Sequence, residues 1–258
     1  MICIDNDRSP FAGMFDWCRD SMIQSYFEGR IGTGLAGGET ARRWAAVRSG
    51  DFLFCAGEPE DISRLIGFVK EQIGADALII PQDADRWQAA LAEGGLETGR
   101  ITRYHTRLPE GGLDAAALRR ITDSASGCLR LVRAGEREYK LLRDCPWENS
   151  FVSQFAGQED FLQNGFAFCL YAGEELASAS STFGYYSGGY ELQIATAPKF
   201  RRRGYAAITG AAFLLECLRR GKRPHWDAAH QGSLRLACRL GFLPDGEYTA
   251  LSLREGKK

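Results

Sequence analysis

A chain of 258 residues can form one large domain or two small ones with a sizeable core. Its apolar share of 45%, charged share of 25% and net charge of -1 are those of an ordinary globular protein and exclude the basic excess that general nucleic-acid binding brings. No apolar run reaches the length of a transmembrane helix, and eight scattered cysteines without a CxxC pair or a Cys/His cluster exclude a zinc centre.

The opening MICIDNDRSPF has neither the charged start nor the apolar core of a secretory signal. With its scattered cysteines read as reduced, the chain is expected in the cytoplasm. Phe15, Cys18, Met22, Ile23, Tyr26 and Phe27 recur at helical spacing and Gly29 ends the run, so one helix is expected across them. ARRWAAVRSGDFLFCAGEP reads as two strands about a Ser49-Gly50 turn. Ile62, Leu65, Ile66 and Val69 predict a helix, with Asp61 as its N-cap. DALII is a short buried strand, DADRWQAALAEGG a helix ended by glycine, and GRITRYHTRL alternates as a strand does. Pro109, Gly111, Gly112 and the turn-rich TDSASG flank a short helix, LDAAALRRI. A domain boundary is expected there, with a smaller α/β domain over 1–125 and a second domain over 126–258. No clean internal repeat is visible.

The second half has a clearer order. CLRLVRAG is a strand; REYKLLRDC and WENSFVSQFAGQEDFLQNG are helices. FAFCLYAGEELASASSTFGYYSGGYELQIATAP gives three strands, turned at Gly173-Glu174-Glu175 and Ser187-Gly188-Gly189. A helix from about Tyr205 to Arg220, the strand RPHWDAA, the helix GSLRLACRL and the strand GFLPDGEYTALSL follow. The fold class is α/β of the α+β kind: a mixed, mostly antiparallel sheet flanked by helices.

The junction ATAPKFRRRGYA puts three arginines and a glycine where a strand becomes a helix. Like charges oppose one another there unless an anion is bound. Helix N-termini expose unsatisfied N–H groups and bind phosphate readily, and glycine lets the backbone come close. The stretch is neither a GK[ST] loop nor GxGxxG. It reads as a pyrophosphate cradle or as a solvated basic helix start.

ATAPKFRRRGYA resembles motif A of the GCN5-related N-acetyltransferases, the GNAT superfamily, whose R/Q-x-x-G-x-G/A signature is matched by Arg201, Gly204 and Ala206. WDAAHQGSLRLACRLGF is similar to that family's next strand and helix, ending at Gly241-Phe242, and the element order agrees from about Cys128 onward. The whole chain resembles a bacterial GNAT group with an extra N-terminal domain, either a degenerate copy of the same fold or a substrate cap. The resemblance implies acetyl-CoA as acyl donor. Its pyrophosphate would lie on the backbone of Arg202, Arg203, Gly204, Tyr205, Ala206 and Ala207, with Arg201 and Arg203 as supporting charges. Its pantetheine would run along Ile194, Ala195 and Thr196, and an amine would attack the thioester directly.

Glu191 stands where members often carry the base, or is a plain exposed strand residue. Ala237 stands where many carry a tyrosine that protonates the thiolate, and alanine cannot. His230, at a frequent asparagine position, is a candidate for proton transfer or a cap residue, and Ser233 could bond the cofactor. Ser180, Tyr185 and Tyr186 line an acceptor pocket or form a hairpin tip. The expected partners are acetyl-CoA and an amine acceptor, without nucleic acid, membrane or metal, in a monomer or homodimer. The two functional readings are an N-acetyltransferase and a non-catalytic acyl-CoA-binding sensor or interaction module. The near-neutral charge weighs against aminoacyl transfer from tRNA.

Overall fold

A computed structural model describes residues 2–3, 8–37, 43–59, 62–72, 77–125 and 127–253. The expected cap Asp61 lies outside them. The chain divides into two compact units, Met1–Arg103 with Glu247–Lys258, and Tyr104–Gly246.

The first unit contains β1 (Ile2–Cys3), a 3-10 turn (Ser9–Phe15), α1 (Ser21–Phe27), β2 (Thr33–Gly37), β3 (Trp44–Ser49), β4 (Phe52–Gly57), α2 (Ile62–Gln72), β5 (Leu78–Pro81), α3 (Ala84–Glu93) and most of β6 (Thr98–Arg107). The expected single helix around Phe15–Phe27 is broken. Asp20 adopts an extended backbone and its carboxylate accepts from Met22 N–H, so a new helix starts there. The Gly-rich β2, TGLAG, was not expected from the sequence. Its side chains are too small to show alternation, and it is held by antiparallel pairing to β3.

The second unit contains α4 (Ala115–Asp123), β7 (Leu129–Arg133), α5 (Glu136–Arg143), α6 (Gln158–Asn164), β8 (Ala167–Ala172), β9 (Glu175–Tyr186), β10 (Gly189–Thr196), α7 (Tyr205–Arg219), β11 (Arg223–His225), α8 (Gln231–Arg239) and the start of β12 (Leu243–Leu253). Of the two helices expected after β7, the second is confined to Gln158–Asn164. Residues 147–157 are irregular and fill the core with Phe151, Val152 and Phe155 instead.

The first sheet has the order β1-β2-β3-β4-β5-β12-β6 and the second β11-β10-β9-β8-β7. The neighbouring pairs from β1 to β12 in the first sheet and all those in the second are antiparallel except for one parallel pair in each formed across a helix, β4–β5 and β10–β11. The units therefore run through one order: a strand, two helical segments, a three-strand meander, a helix, a parallel strand, a helix and a last strand. The end of β12 lies in the first sheet, with Leu251 against Ile79.

The units part at residues 103 and 104, not near 125 as the turn-rich sequence suggests. The reason is α4, which Asp114 caps through Ala116 and Ala117 N–H and which packs on α7 with Leu113 and Leu118 in the core. That core, on the α7 face of the second sheet, also holds Leu192, Phe213, Leu214, Trp226 and Phe242. The opposite face carries Tyr139, Phe151, Phe161 and Tyr171 under α5 and α6. The first unit is built around Trp44, Leu53, Val69, Ile79 and Trp87.

Candidate active site

The strand β10 runs through the 3-10 turn Pro198–Phe200 and the arginines into α7. Arg202 has φ +61° and Gly204, the residue before the helix, φ +82°. Two left-handed residues within three turn successive N–H groups to one side, the geometry of an anion-binding nest. The N–H groups of Arg202, Arg203, Gly204, Tyr205 and Ala206 have no acceptor among the described residues, whereas Ala207 and Ile208 already donate to Gly204 C=O. A Cβ built on Gly204 meets nothing within 4 Å, so the space above the nest is open. Arg201, Arg202 and Arg203 are exposed around it, Arg201 Nε donating to Thr196 C=O and Arg203 lying over Phe200. Backbone, space and charge fit a pyrophosphate.

Beside this cradle the sheet opens. The strand β10 pairs with β9 along its whole length, but with β11 only at Gly189–Glu191. Ile194, Ala195 and Thr196 thus present a strand edge that no strand covers among the described residues. A register shift falls between Glu191 and Leu192, where the strands begin to part. Leu192 and Ile194 pack on the α7 face. Gly210 makes room for Ile194 and Leu240: a Cβ there would stand 2.8 Å from Leu240 Cδ1 and 3.1 Å from Ile194 Cδ1. By alternation Glu191 and Gln193 face the other way.

Glu191 is 5% exposed, not an open strand residue, and its Oε1 accepts from Asp227 N–H at 3.0 Å. The carboxylate serves a backbone group that β10 no longer reaches. Across the gap, Tyr104 and Ala228 exchange both backbone bonds and Thr106 Oγ1 donates to Trp226 C=O, closing the outer edge. His230 caps α8, its Nδ1 accepting from Ser233 N–H at 3.1 Å. Ser233 Oγ accepts from Trp226 Nε1 at 3.0 Å. Ala237 is fully buried in the α7-face core.

The structure brings the cradle residues and the β10 edge together at one end of α7, with Glu191 at the closed end of the gap. One polar residue escaped the sequence reading. His225 bonds Tyr186 Oη at 3.0 Å, and burial together with Arg223 pushes its pKa down to about 4. Its signal was its place in HWD, on the strand that parts from β10. No group of metal-ligating side chains and no helix long and apolar enough to cross a membrane occurs among the described residues.

A helix-start nest thus lies beside the open edge of a splayed mixed sheet. The sequence profile of the GNAT acetyltransferase family matches residues 12–251, and the chain belongs to this family. Among solved structures, a GCN5-related N-acetyltransferase-like protein from Streptococcus suis is similar, with 25% identity and a TM-score of 0.86 over 95% of this chain and 98% of that one. GCN5-related proteins from Kribbella flavida (14% identity, TM-score 0.53, 92% and 98% covered) and Colwellia psychrerythraea (10%, 0.54, 99% and 98%) share the fold. Comparison with curated proteins gives no match.

Proposed function

We propose that the protein transfers acetyl from acetyl-CoA to an amine of a small molecule or protein. The observation that carries this reading is the run of N–H groups without an acceptor, Arg202 to Ala206, at the mouth of the parted strands. Bound acetyl-CoA would supply the activated acyl group. The nest residues hold its pyrophosphate, Arg202 and Arg203 add charge, and the edge of Ile194, Ala195 and Thr196 orients the pantetheine amides. Arg201 reinforces the turn through Thr196 as well as adding charge. Glu191, at the closed end, takes the amine proton, while His230 and Ser233 keep the α8 start in shape. The second unit is read as the working GNAT domain and the first as a degenerate copy of it, which the shared element order supports.

A binding-only sensor remains the second reading, favoured by Ala237, which offers no proton to a leaving thiolate and is sealed in the core. Calorimetry with acetyl-CoA on the wild type and Gly204→Glu tests the shared premise. Micromolar binding lost in the variant supports it; no binding by folded wild type removes both readings. Thiol release with amines then separates enzyme from sensor.

A further inference from the structure

Helix α5 carries Arg137, Lys140 and Leu141 at positions i, i+3 and i+4, with Asp144 at its C-cap one further turn on, so the four share one face. That face lines a cleft of about 610 Å³. Trp147 and Leu176 line it too, both half-buried and packed on the core under α5 and α6. Leu141 is 41% exposed, an apolar side chain left to water at the mouth of the cleft. A volume of this size with a mostly apolar lining and a few charged groups is that of a small-molecule site.

The cleft is separate from the cradle and the gap. The nest stands at the start of α7, which covers the opposite face of the sheet. Glu191, at the closed end of the gap, lies in register with Gly184 on β9. Leu176 is eight residues earlier on that strand, roughly 26 Å along it at about 3.3 Å per residue.

The charges around the cleft do not balance. Arg143 Nε and Nη2 donate to the two carboxylate oxygens of Asp144 at 2.8 and 2.7 Å, and hold that carboxyl below its usual range. Glu175 is paired with Lys199. Both acids of the lining are thus matched. Arg137 and Lys140 have no carboxylate within ion-pair distance among the described residues. One turn apart on the helix, they can engage a single anionic group together.

We propose that this cleft is a second ligand site and that it takes a small carboxylate with an apolar body. The carboxylate sits on Arg137 and Lys140, and the body lies against Leu141, Trp147 and Leu176. The guanidinium offers paired N–H donors to the carboxylate oxygens and the ammonium adds a point charge. An uncharged ligand leaves both cations unmatched, and a cationic one is repelled by them. The site stands whether or not the gap transfers acetyl.

The test uses the full chain and three probes of one shape: 4-phenylbutyrate, its uncharged amide, and 4-phenylbutylamine as the cation. In an NMR titration the carboxylate should saturate with a Kd of about 1 mM or below, and the amide and amine should bind at least about tenfold more weakly. Lys140→Glu and Leu141→Asp change exposed side chains, and each should weaken carboxylate binding by about tenfold or more. Arg119→Glu makes the charge change of Lys140→Glu on α4, which packs on α7, and Gly204→Glu breaks the nest; both should bind the carboxylate as wild type does. Should Lys140→Glu or Leu141→Asp lose its fold in circular dichroism, the other decides. The cleft site is overturned by no saturable binding up to about 10 mM, by amide or amine binding as tight as the carboxylate's, or by wild-type affinity in a folded cleft variant. Equal weakening by Arg119→Glu, or loss in Gly204→Glu, overturns it as well, by tracing the binding to overall charge or to the nest.

Discussion

The two units share an order of elements, and they differ most at one turn and one strand pair. After β10 the chain reads Arg201-Arg202-Arg203-Gly204, with open N–H groups; after β4 it reads Gly57-Glu58-Pro59-Glu60-Asp61. Pro59 has no N–H, and the stretch carries three acidic residues in sequence where the other carries three arginines. The groups of the first turn are also used internally. Gly57 N–H donates to Gln82 Oε1, Gly57 C=O accepts from Trp87 Nε1, and Glu58 pairs with Arg86 at 2.9 Å. The parallel pair β4–β5 stays zipped from Phe52 to Cys55 and is extended by Gln82 N–H to Cys55 C=O, whereas β10–β11 stops at Glu191. One backbone plan thus serves a closed, structural role in one unit and an open, ligand-ready one in the other. The fold does not carry the site; a few turn residues and the length of one ladder do.

Breaking the open turn should have the largest effect. Gly204→Glu forces a side chain and a charge into the nest at a positive φ, and should weaken acetyl-CoA binding by at least about 100-fold, roughly 2.7 kcal/mol, in calorimetry. The counterpart change Glu58→Gln should leave that affinity unaltered. Next comes the end of the short ladder. Glu191→Ala leaves Asp227 N–H without its acceptor and should cost about 1–3 kcal/mol in urea unfolding. Glu191→Gln keeps a carbonyl oxygen there and should hold stability near wild type while lowering amine transfer, which separates the structural role from the proton role.

A smaller effect follows from the parallel strands themselves. The strand β5 is wholly apolar, but β11 carries His225, whose pKa is lowered from 6.5 to about 4. The unfolded chain binds the proton first, so this contribution is complete above pH 6.5 and is lost as pH falls toward 4. His225→Leu should flatten that limb of the melting temperature measured against pH. The smallest effect is expected at Arg86→Ala. That exposed pair with Glu58 is worth less than about 1 kcal/mol, and its loss should not touch acetyl-CoA binding.

The sequence made the second unit legible because its signals are local. The hairpin turns at Gly173 and Ser187–Gly189, the helix caps and the RRRGYA junction each act within a few residues, and all ten elements from β7 to β12 came in the expected order. In the first unit β3 to β6 were legible element by element, but β1, β2 and the break before α1 were not. Its meander and crossover are encoded by different residues, so no repeat shows in the letters. The position of Glu191 on its face followed from alternation. Its burial did not, because that depends on Asp227, 36 positions on. The Tyr186–His225 bond, between strands that are not neighbours, was invisible for the same reason. So was the destination of β12, whose alternating pattern fits either sheet.

That last strand bears on how the protein is made. Its end completes a sheet whose other members, β1 to β6, are synthesised much earlier, so the first unit leaves the ribosome with the edge of β5 unpaired where Leu251 and Ser252 will dock. Cotranslational folding can assemble its meander and its Trp44–Trp87 core early, but the final pairing must wait for the end of β12 to emerge. A slow, late step in refolding, absent from a chain truncated before residue 247, is the kinetic mark this arrangement should leave.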